Sequence, residues 1–168
     1  MKKYLLWLLL CWSGTAMAQM EAARKVTPEY LHETRINNHP PDIWQVIRDL
    51  PKVKDYSNGM ISEVNIRTER GTQYRDLVFA DGSKRTDEIQ QVHETYKFFV
   101  VQISSPLPAG VTKAIVTALV ESIPGSKGTS VVRWSIIMEG EKAAKKALTD
   151  SLTAEIANYE AGLKKLLE

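Results

Sequence analysis

Apolar and polar residues alternate over seven stretches of the chain, which is the spacing of strands with one buried face. The strands predicted from this pattern span residues 30–37, 61–70, 72–80, 84–92, 96–103, 113–123 and 129–139. Short turns separate most of them, and Asp81-Gly82 is a strong hairpin signal. Strands that follow one another through short turns indicate an antiparallel meander.

A helical spacing of apolar residues occurs before and after this run of strands. Pro41 can begin a helix that ends before Pro51, and residues 51–56 are predicted to form a second short helix. Residues 142–167 predict one long helix, whose single apolar stripe consists of Ala144, Leu148, Leu152, Ile156, Tyr159, Leu163 and Leu166. Its charged residues, Glu155 among them, are assigned to the remaining surface.

The order of these elements predicts an α+β domain over residues 30–168. The last helix would span ~38 Å, and the sheet is the apolar surface large enough to cover its stripe. We therefore expect a helix-grip arrangement. A curved antiparallel sheet of about six or seven strands wraps around the long C-terminal helix, and two short helices follow the first strand.

The first residues have the pattern of a secretory signal peptide. Lys2 and Lys3 precede the apolar run 4–12, and Ala16-Met17-Ala18 is a small-x-small cleavage pattern. We predict cleavage after Ala18, a flexible leader over residues 19–29, and a periplasmic mature protein. A retained membrane anchor is the alternative, but the run is shorter than the ~20 residues that a spanning helix needs.

Charge and cysteine content narrow the function classes. The chain has 22 Lys and Arg against 20 Asp and Glu, and Lys2 and Lys3 account for the excess because residues 1–18 contain no acid. The rest is neutral, without the basic surface of a nucleic-acid binder. Cys11, the sole cysteine, lies in the signal, so the mature protein would have no disulfide. Lysines on the final helix leave transient membrane contact open.

Several segments, in this order, resemble the START-like or birch-pollen-allergen-like helix-grip superfamily. The nearest branch is the polyketide cyclase/dehydrase and lipid-transport (SRPBCC) family. The similar segments are PPDIWQVIRDLPKVKDY, GTQYRDLVFADG, RTDEIQQVH, SSPLPAG, GTSVVRWSIIMEGE and the final helix. The resemblance implies a cavity between the sheet and the long helix. Members hold sterols, lipids, quinones, plant hormones or polyketides, and some are enzymes.

The chain also resembles the plant abscisic acid receptors of this superfamily. That resemblance implies a polar pocket set of Arg75, Asp87 and Glu139. Two other polar positions of those receptors are apolar here, since Ile61 stands nearest to their lysine and Ala114 at their tyrosine. The recognition set is thus only partly present.

Strand alternation extends the candidate site from the polar residues to their neighbours. If Arg75 and Asp87 point inward, the alternate residues on the strands do so too, and Gln91 and Ser135 are among them. Loop 104–110 resembles the family's pocket-mouth loop. The predicted ligand-binding residues are Arg75, Leu77, Phe79, Asp87, Ile89, Val101, Ile103, Pro106, Leu107, Pro108, Val116, Ala118, Ile137, Glu139, Leu152 and Ile156. Small alanines, Ala114 and Ala118, would leave volume there. A fully packed core is the alternative.

Four interpretations of Arg75, Asp87 and Glu139 stay open. They form a polar anchor for a ligand's head group, a general acid–base pair, a buried ion-pair network, or charges at a rim in water. We expect all three side chains to lie on one side of the cavity, because alternation gives each an inward position.

The remaining motifs point away from metal and cofactor chemistry. His32, His39 and His93 lack metal-ligand spacing, and the sequence has no nucleophile elbow, phosphate loop or dinucleotide fingerprint. The leading hypothesis is a periplasmic binding or carrier protein for an apolar small molecule, such as a lipid or quinone, without cofactor or catalytic residues. The alternative is a cyclase, dehydrase or hydrolase that uses Asp87 or Glu139. A third hypothesis is an interaction module with a vestigial cavity.

Overall fold

The computed structural model describes residues 27–168, and the strands and helices that the spacing predicts are present in it. The elements are β1 (Tyr30–Ile36), α1 (Pro40–Ile47), a 3-10 turn (Leu50–Lys52), α2 (Val53–Tyr56), β2 (Ile61–Glu69), β3 (Thr72–Phe79), β4 (Lys84–His93), β5 (Phe98–Ser105), β6 (Val111–Ser122), β7 (Ser130–Gly140) and α3 (Lys142–Leu167). The predicted fold class is confirmed. The predicted signal peptide and residues 19–26 of the leader lie outside the described residues.

The strands form one antiparallel sheet in the order β1-β7-β6-β5-β4-β3-β2. Consecutive strands from β2 to β7 are neighbours, as a meander requires, and β1 adds to the far edge beside β7. Strands β1 and β2 are consecutive in the chain but form the two opposite edges of the sheet, and α1 and α2 connect them. The core lies between one face of this sheet and the helices α1, α2 and α3.

Local sequence explains how α1 and the hairpin turns form. Pro40 begins α1, where its missing backbone N–H costs no hydrogen bond because the first turn of a helix has no carbonyl partner for it. Ile43 and Trp44 are buried on the inner face of α1. In the turn after β3, Gly82 adopts a φ of 85° that favours glycine. Strand β5 begins two residues later than predicted, because residues before Phe98 form a turn in which Lys97 has a φ of 51°.

A bulge in β4 corrects one predicted orientation. The pairing of β4 with β5 shifts register between Ile89 and Gln91. An extra residue reverses the alternation beyond it. Before the bulge, Asp87 is fully buried and Ile89 is half-buried against the core. After the bulge, Gln91 is exposed, whereas alternation predicted that it points inward.

The orientation predicted for β7 was wrong. The inward residues are Val132, Trp134, Ile136 and Met138, so Ser135, Ile137 and Glu139 face outward. The pairing with β6 fixes this, because Trp134 lies opposite the buried Ala118. Glu139 has a 64% exposed side chain and lies 3.7 Å from the Nζ of Lys113 on the outer face. It therefore does not join Arg75 and Asp87.

Helix α3 packs on the sheet mainly through its second half. Leu152, Ile156, Tyr159 and Leu163 are buried as the stripe predicts, but Leu148 is only partly buried and Leu166 is 50% exposed. Gly162 allows the close approach of α3 to α2, since a Cβ there would lie 2.1 Å from the carbonyl oxygen of Tyr56. Among residues 27–168, no helix combines the length and hydrophobicity needed to cross a membrane.

Candidate functional site

An arginine–aspartate pair joins two neighbouring strands inside the domain. Arg75 on β3 is the register partner of Asp87 on β4. Its Nη2 donates to Oδ2 of Asp87 over 2.7 Å, and the side chains are 3% and 0% exposed. Strand alternation places both toward the interior, and the pairing register makes them adjacent.

Arg85 connects this pair to α3. Its Nε donates to Oδ1 of Asp87 over 2.8 Å, and its Nη1 and Nη2 donate to the two oxygens of Glu155 over 2.6 and 2.7 Å. The hydroxyl of Tyr159 also donates to Glu155. Two guanidinium groups and two carboxylates thus form one buried network that ties the sheet to the helix.

The surroundings of Asp87, Tyr159 and Tyr56 determine the protonation states of these three groups. Burial would raise the pKa of Asp87, but the guanidinium groups of Arg85 and Arg75 outweigh burial and hold that pKa below its ordinary value. Burial and the nearby Glu155 raise the pKa of Tyr159 well above its ordinary value. Burial likewise raises the pKa of Tyr56. Asp87 is therefore ionised at neutral pH, and both tyrosines are neutral.

Beside the network lies a small interior void of about 10 Å³, which has room for about one water-sized atom. The predicted large cavity between sheet and helix is reduced to this space. Three of the residues that line it, Arg75, Tyr56 and Trp134, also carry buried polar atoms without a hydrogen-bond partner among the described residues. These atoms are Nε and Nη1 of Arg75, the hydroxyl of Tyr56 and Nε1 of Trp134.

A much larger open cleft lies at the end of the domain, where the turn between β3 and β4 faces the first half of α3. Its volume is about 530 Å³. Its apolar lining comes from Met60, Phe79, Pro106, Leu148 and Leu152, and its polar lining includes Arg85, Glu155, Asp81, Ser83 and Lys84. Arg85, Leu152 and Glu155 border both spaces and so separate the cleft from the void.

The predicted site residues fall into groups. Arg75, Val101, Val116, Leu152 and Ile156 border the void, and Phe79, Pro106 and again Leu152 border the cleft. Leu77, Asp87, Ile103 and Ala118 are buried but border neither space, while Ile89 and Leu107 pack against the core. Pro108 is exposed, and Ile137 and Glu139 lie on the outer face.

Sequence reasoning missed Arg85 and Glu155, and its list of ligand-binding residues contains none of the four aromatic residues that line the void, Tyr56, Phe99, Trp134 and Tyr159. Arg85 precedes Asp87 by two, so the same alternation that places Asp87 inward would have found it. Glu155 follows Leu152 by three and precedes Tyr159 by four, which puts it on the buried stripe. Its assignment to the solvent-facing surface was wrong, because charge was given more weight than position.

The acidic and histidine side chains do not gather into a metal site in the part of the chain that is described. No group of three or more His, Cys, Asp or Glu side chains within residues 27–168 could hold a metal ion. Asp87 and Glu155 are instead bound by arginine and tyrosine.

No protein-family model and no curated protein matches the chain. Solved structures are similar. XoxI from Bacillus cereus has a TM-score of 0.70 at 19% identity, covering 82% of this chain and 94% of its own. Norcoclaurine synthase from Thalictrum flavum, in complex with dopamine and hydroxybenzaldehyde, has a TM-score of 0.65 at 23% identity, covering 82% and 84%.

At sequence identities this low, the structural similarity establishes the fold alone. The chain has the helix-grip fold of the START-like and birch-pollen-allergen-like proteins, as the sequence resemblance implied. That fold class includes ligand-binding proteins.

Proposed function

We propose that this protein binds an apolar small molecule, of lipid or quinone type, in the open cleft between the β3–β4 turn and α3, and serves as a binding or carrier protein. The cleft itself carries the proposal. Its volume of about 530 Å³ lies in the range of ~300–1,000 Å³ usual for small-molecule sites. Seven of its thirteen lining residues are apolar, and small-molecule sites usually combine apolar lining with polar groups that fix the ligand's orientation.

The closed interior supports the cleft as the binding place. A void of about 10 Å³ has no room for a lipid or quinone, whereas the partly buried Leu148 leaves some apolar surface uncovered in the cleft. Ligand binding is favoured when the ligand covers exposed apolar surface in a concave site and excludes water from it.

The cleft can be filled without disturbing the core, because Ser151 is exposed and lines it. We expect the neutral probe N-phenyl-1-naphthylamine to gain fluorescence with the wild-type protein and to lose that gain with Ser151→Trp. Ala157→Trp is the matched control, since Ala157 is an exposed residue of α3 that borders neither space. Equal fluorescence with both variants would place probe binding outside the cleft.

Acid–base catalysis by Asp87 or Glu139, the alternative raised by the sequence, receives no support from the geometry. Both oxygens of Asp87 accept hydrogen bonds from arginine, and its pKa is held below the ordinary value. A base in this state takes up a proton poorly near neutral pH. Glu139 lies on the outer face beside Lys113, away from both spaces.

We further propose that the protein works in the periplasm, after removal of residues 1–18. The intact mass of protein recovered from the periplasm of a Gram-negative cell is expected to correspond to a chain beginning at Gln19. A mass that retains residues 1–18, or one with a lipid adduct on Cys11, would contradict the signal-peptide prediction.

A further inference from the structure

The sheet ends at β2 in an edge that can pair with a further strand. β2 is nine residues long and, within residues 27–168, pairs only with β3. Its other edge presents a row of backbone N–H and C=O groups, which is the surface through which strands of separate chains associate. The edge at β1 is different, because α3 binds the residues that follow it. The N–H of Asn37 donates to Glu168, and the side chain of Asn38 donates to the carbonyl oxygen of Leu167.

The middle of β2 has a sequence that is complementary to itself. Val64 and Ile66 point inward and are only partly buried. Glu63, Asn65 and Arg67 alternate with them and therefore share the outer face. Around Asn65, each side of the segment has one β-branched apolar residue and then one charge, and the two charges are opposite. An antiparallel copy of the same segment therefore matches it at every position.

We propose that two copies of this chain associate through β2, in an antiparallel pairing with a two-fold axis at Asn65. Glu63 of each copy then lies opposite Arg67 of the other, and Val64 of each copy lies opposite Ile66 of the other. The two-fold axis makes each of these contacts occur twice. This inference does not rest on the proposed ligand site.

Charge selects this register over its neighbours. Moving the axis one residue toward the C-terminus would place Glu63 opposite Glu69 of the other copy, and like charges directly opposite each other are destabilising. Moving it one residue toward the N-terminus would leave both Glu63 and Arg67 opposite uncharged residues. The register with its axis at Asn65 is the one that pairs opposite charges.

The charged side chains are available for this contact. Glu63 is exposed, and none of the ion pairs within residues 27–168 includes it. Arg67 is 33% exposed and contacts Asp76 through Nε and Glu69 through Nη1, which leaves Nη2 for a further carboxylate. One strand pair makes a small interface, so we expect a weak dimer that depends on protein concentration.

Two charge reversals test the pairing by sedimentation velocity over a concentration series. Glu63→Lys places two positive charges opposite each other at both ends of the segment, and Arg67→Glu does the same with negative charges. We expect each variant alone to raise the dimer dissociation constant about tenfold or more, because each cross-strand charge pair contributes ~0.2–1 kcal/mol and the reversal changes its sign.

Mixing the two variants is the decisive measurement. In a mixed dimer, positions 63 and 67 again face opposite charges at both ends, so we expect the mixture to dimerise although neither variant does so alone. Circular dichroism checks that each variant is folded. If Arg67→Glu does not fold, Asn65→Lys replaces it, because this exposed residue would place like charges together on the two-fold axis. Asn65→Lys is then expected to weaken the dimer as Glu63→Lys does.

Arg35→Glu is the matched control. It makes the same charge change at an exposed residue of β1, on the opposite edge of the sheet, and should leave the dimer intact. A wild-type protein that is monomeric at every concentration overturns the proposal. So does a dimer that Glu63→Lys does not weaken, or one that Arg35→Glu weakens instead. A mixture of folded variants that stays monomeric overturns the pairing of Glu63 with Arg67.

Discussion

Replacing Gly162 by alanine is expected to lower the free energy of unfolding by roughly 3 kcal/mol. An added Cβ would lie 2.1 Å from the carbonyl oxygen of Tyr56 and 2.5 Å from its carbonyl carbon. Both are backbone atoms, so α2 or α3 has to move. Tyr56 is fully buried and stacks edge-on against Tyr159, so this movement disturbs the core.

The sign of the effect makes this a sharp test. In an ordinary helix interior, glycine to alanine stabilises by about 1 kcal/mol. Ala157→Gly, at an exposed position of the same helix, should therefore lose about that amount. Urea unfolding followed by circular dichroism gives both values. A Gly162→Ala protein as stable as wild type would show that the two helices can separate at little cost.

Much of the fold could be predicted because its strands alternate and its last helix has one stripe. The failures lie where the pattern is ambiguous. In β7, Val131-Val132 and Ile136-Ile137 are apolar on both faces, so alternation alone allows either orientation. Only the pairing with β6 decides it, and register is not visible in the strand's own sequence. The bulge near Ile89 could not be predicted either, since no glycine or other distinctive residue marks it in the sequence.

The candidate site was less predictable because it depends on volumes rather than periodicity. Ala114 and Ala118 suggested a wide cavity, but Ala118 lies opposite Trp134, so the space it leaves is beside a large indole. The division into a small void and an open cleft arises where α3 packs on the rest of the domain, at Arg85, Leu152 and Glu155. Packing between residues this far apart in the chain is not visible in the periodicity of either element.

Replacing Asp87 by alanine is expected to cost about 3–5 kcal/mol of unfolding free energy at pH 7. Asp87 is the one described side chain that accepts a hydrogen bond from the buried Arg75. Its removal leaves a guanidinium with no charged partner in the core. Arg85 suffers less, because both oxygens of Glu155 still bind it.

The pH dependence identifies the charge as the cause. Because the pKa of folded Asp87 lies below its ordinary value, ionised Asp87 contributes stability above the pKa of the unfolded aspartate. This contribution fades as the pH falls below about 5, and it is gone below the lowered pKa of the folded state. The stability difference between wild type and Asp87→Ala should therefore shrink on acidification. Asp150→Ala is the control, since Asp150 forms an exposed pair with Lys146 and should change stability little. A difference that stays constant from pH 7 to pH 3 would mean that Asp87 stabilises the domain through packing rather than through its charge.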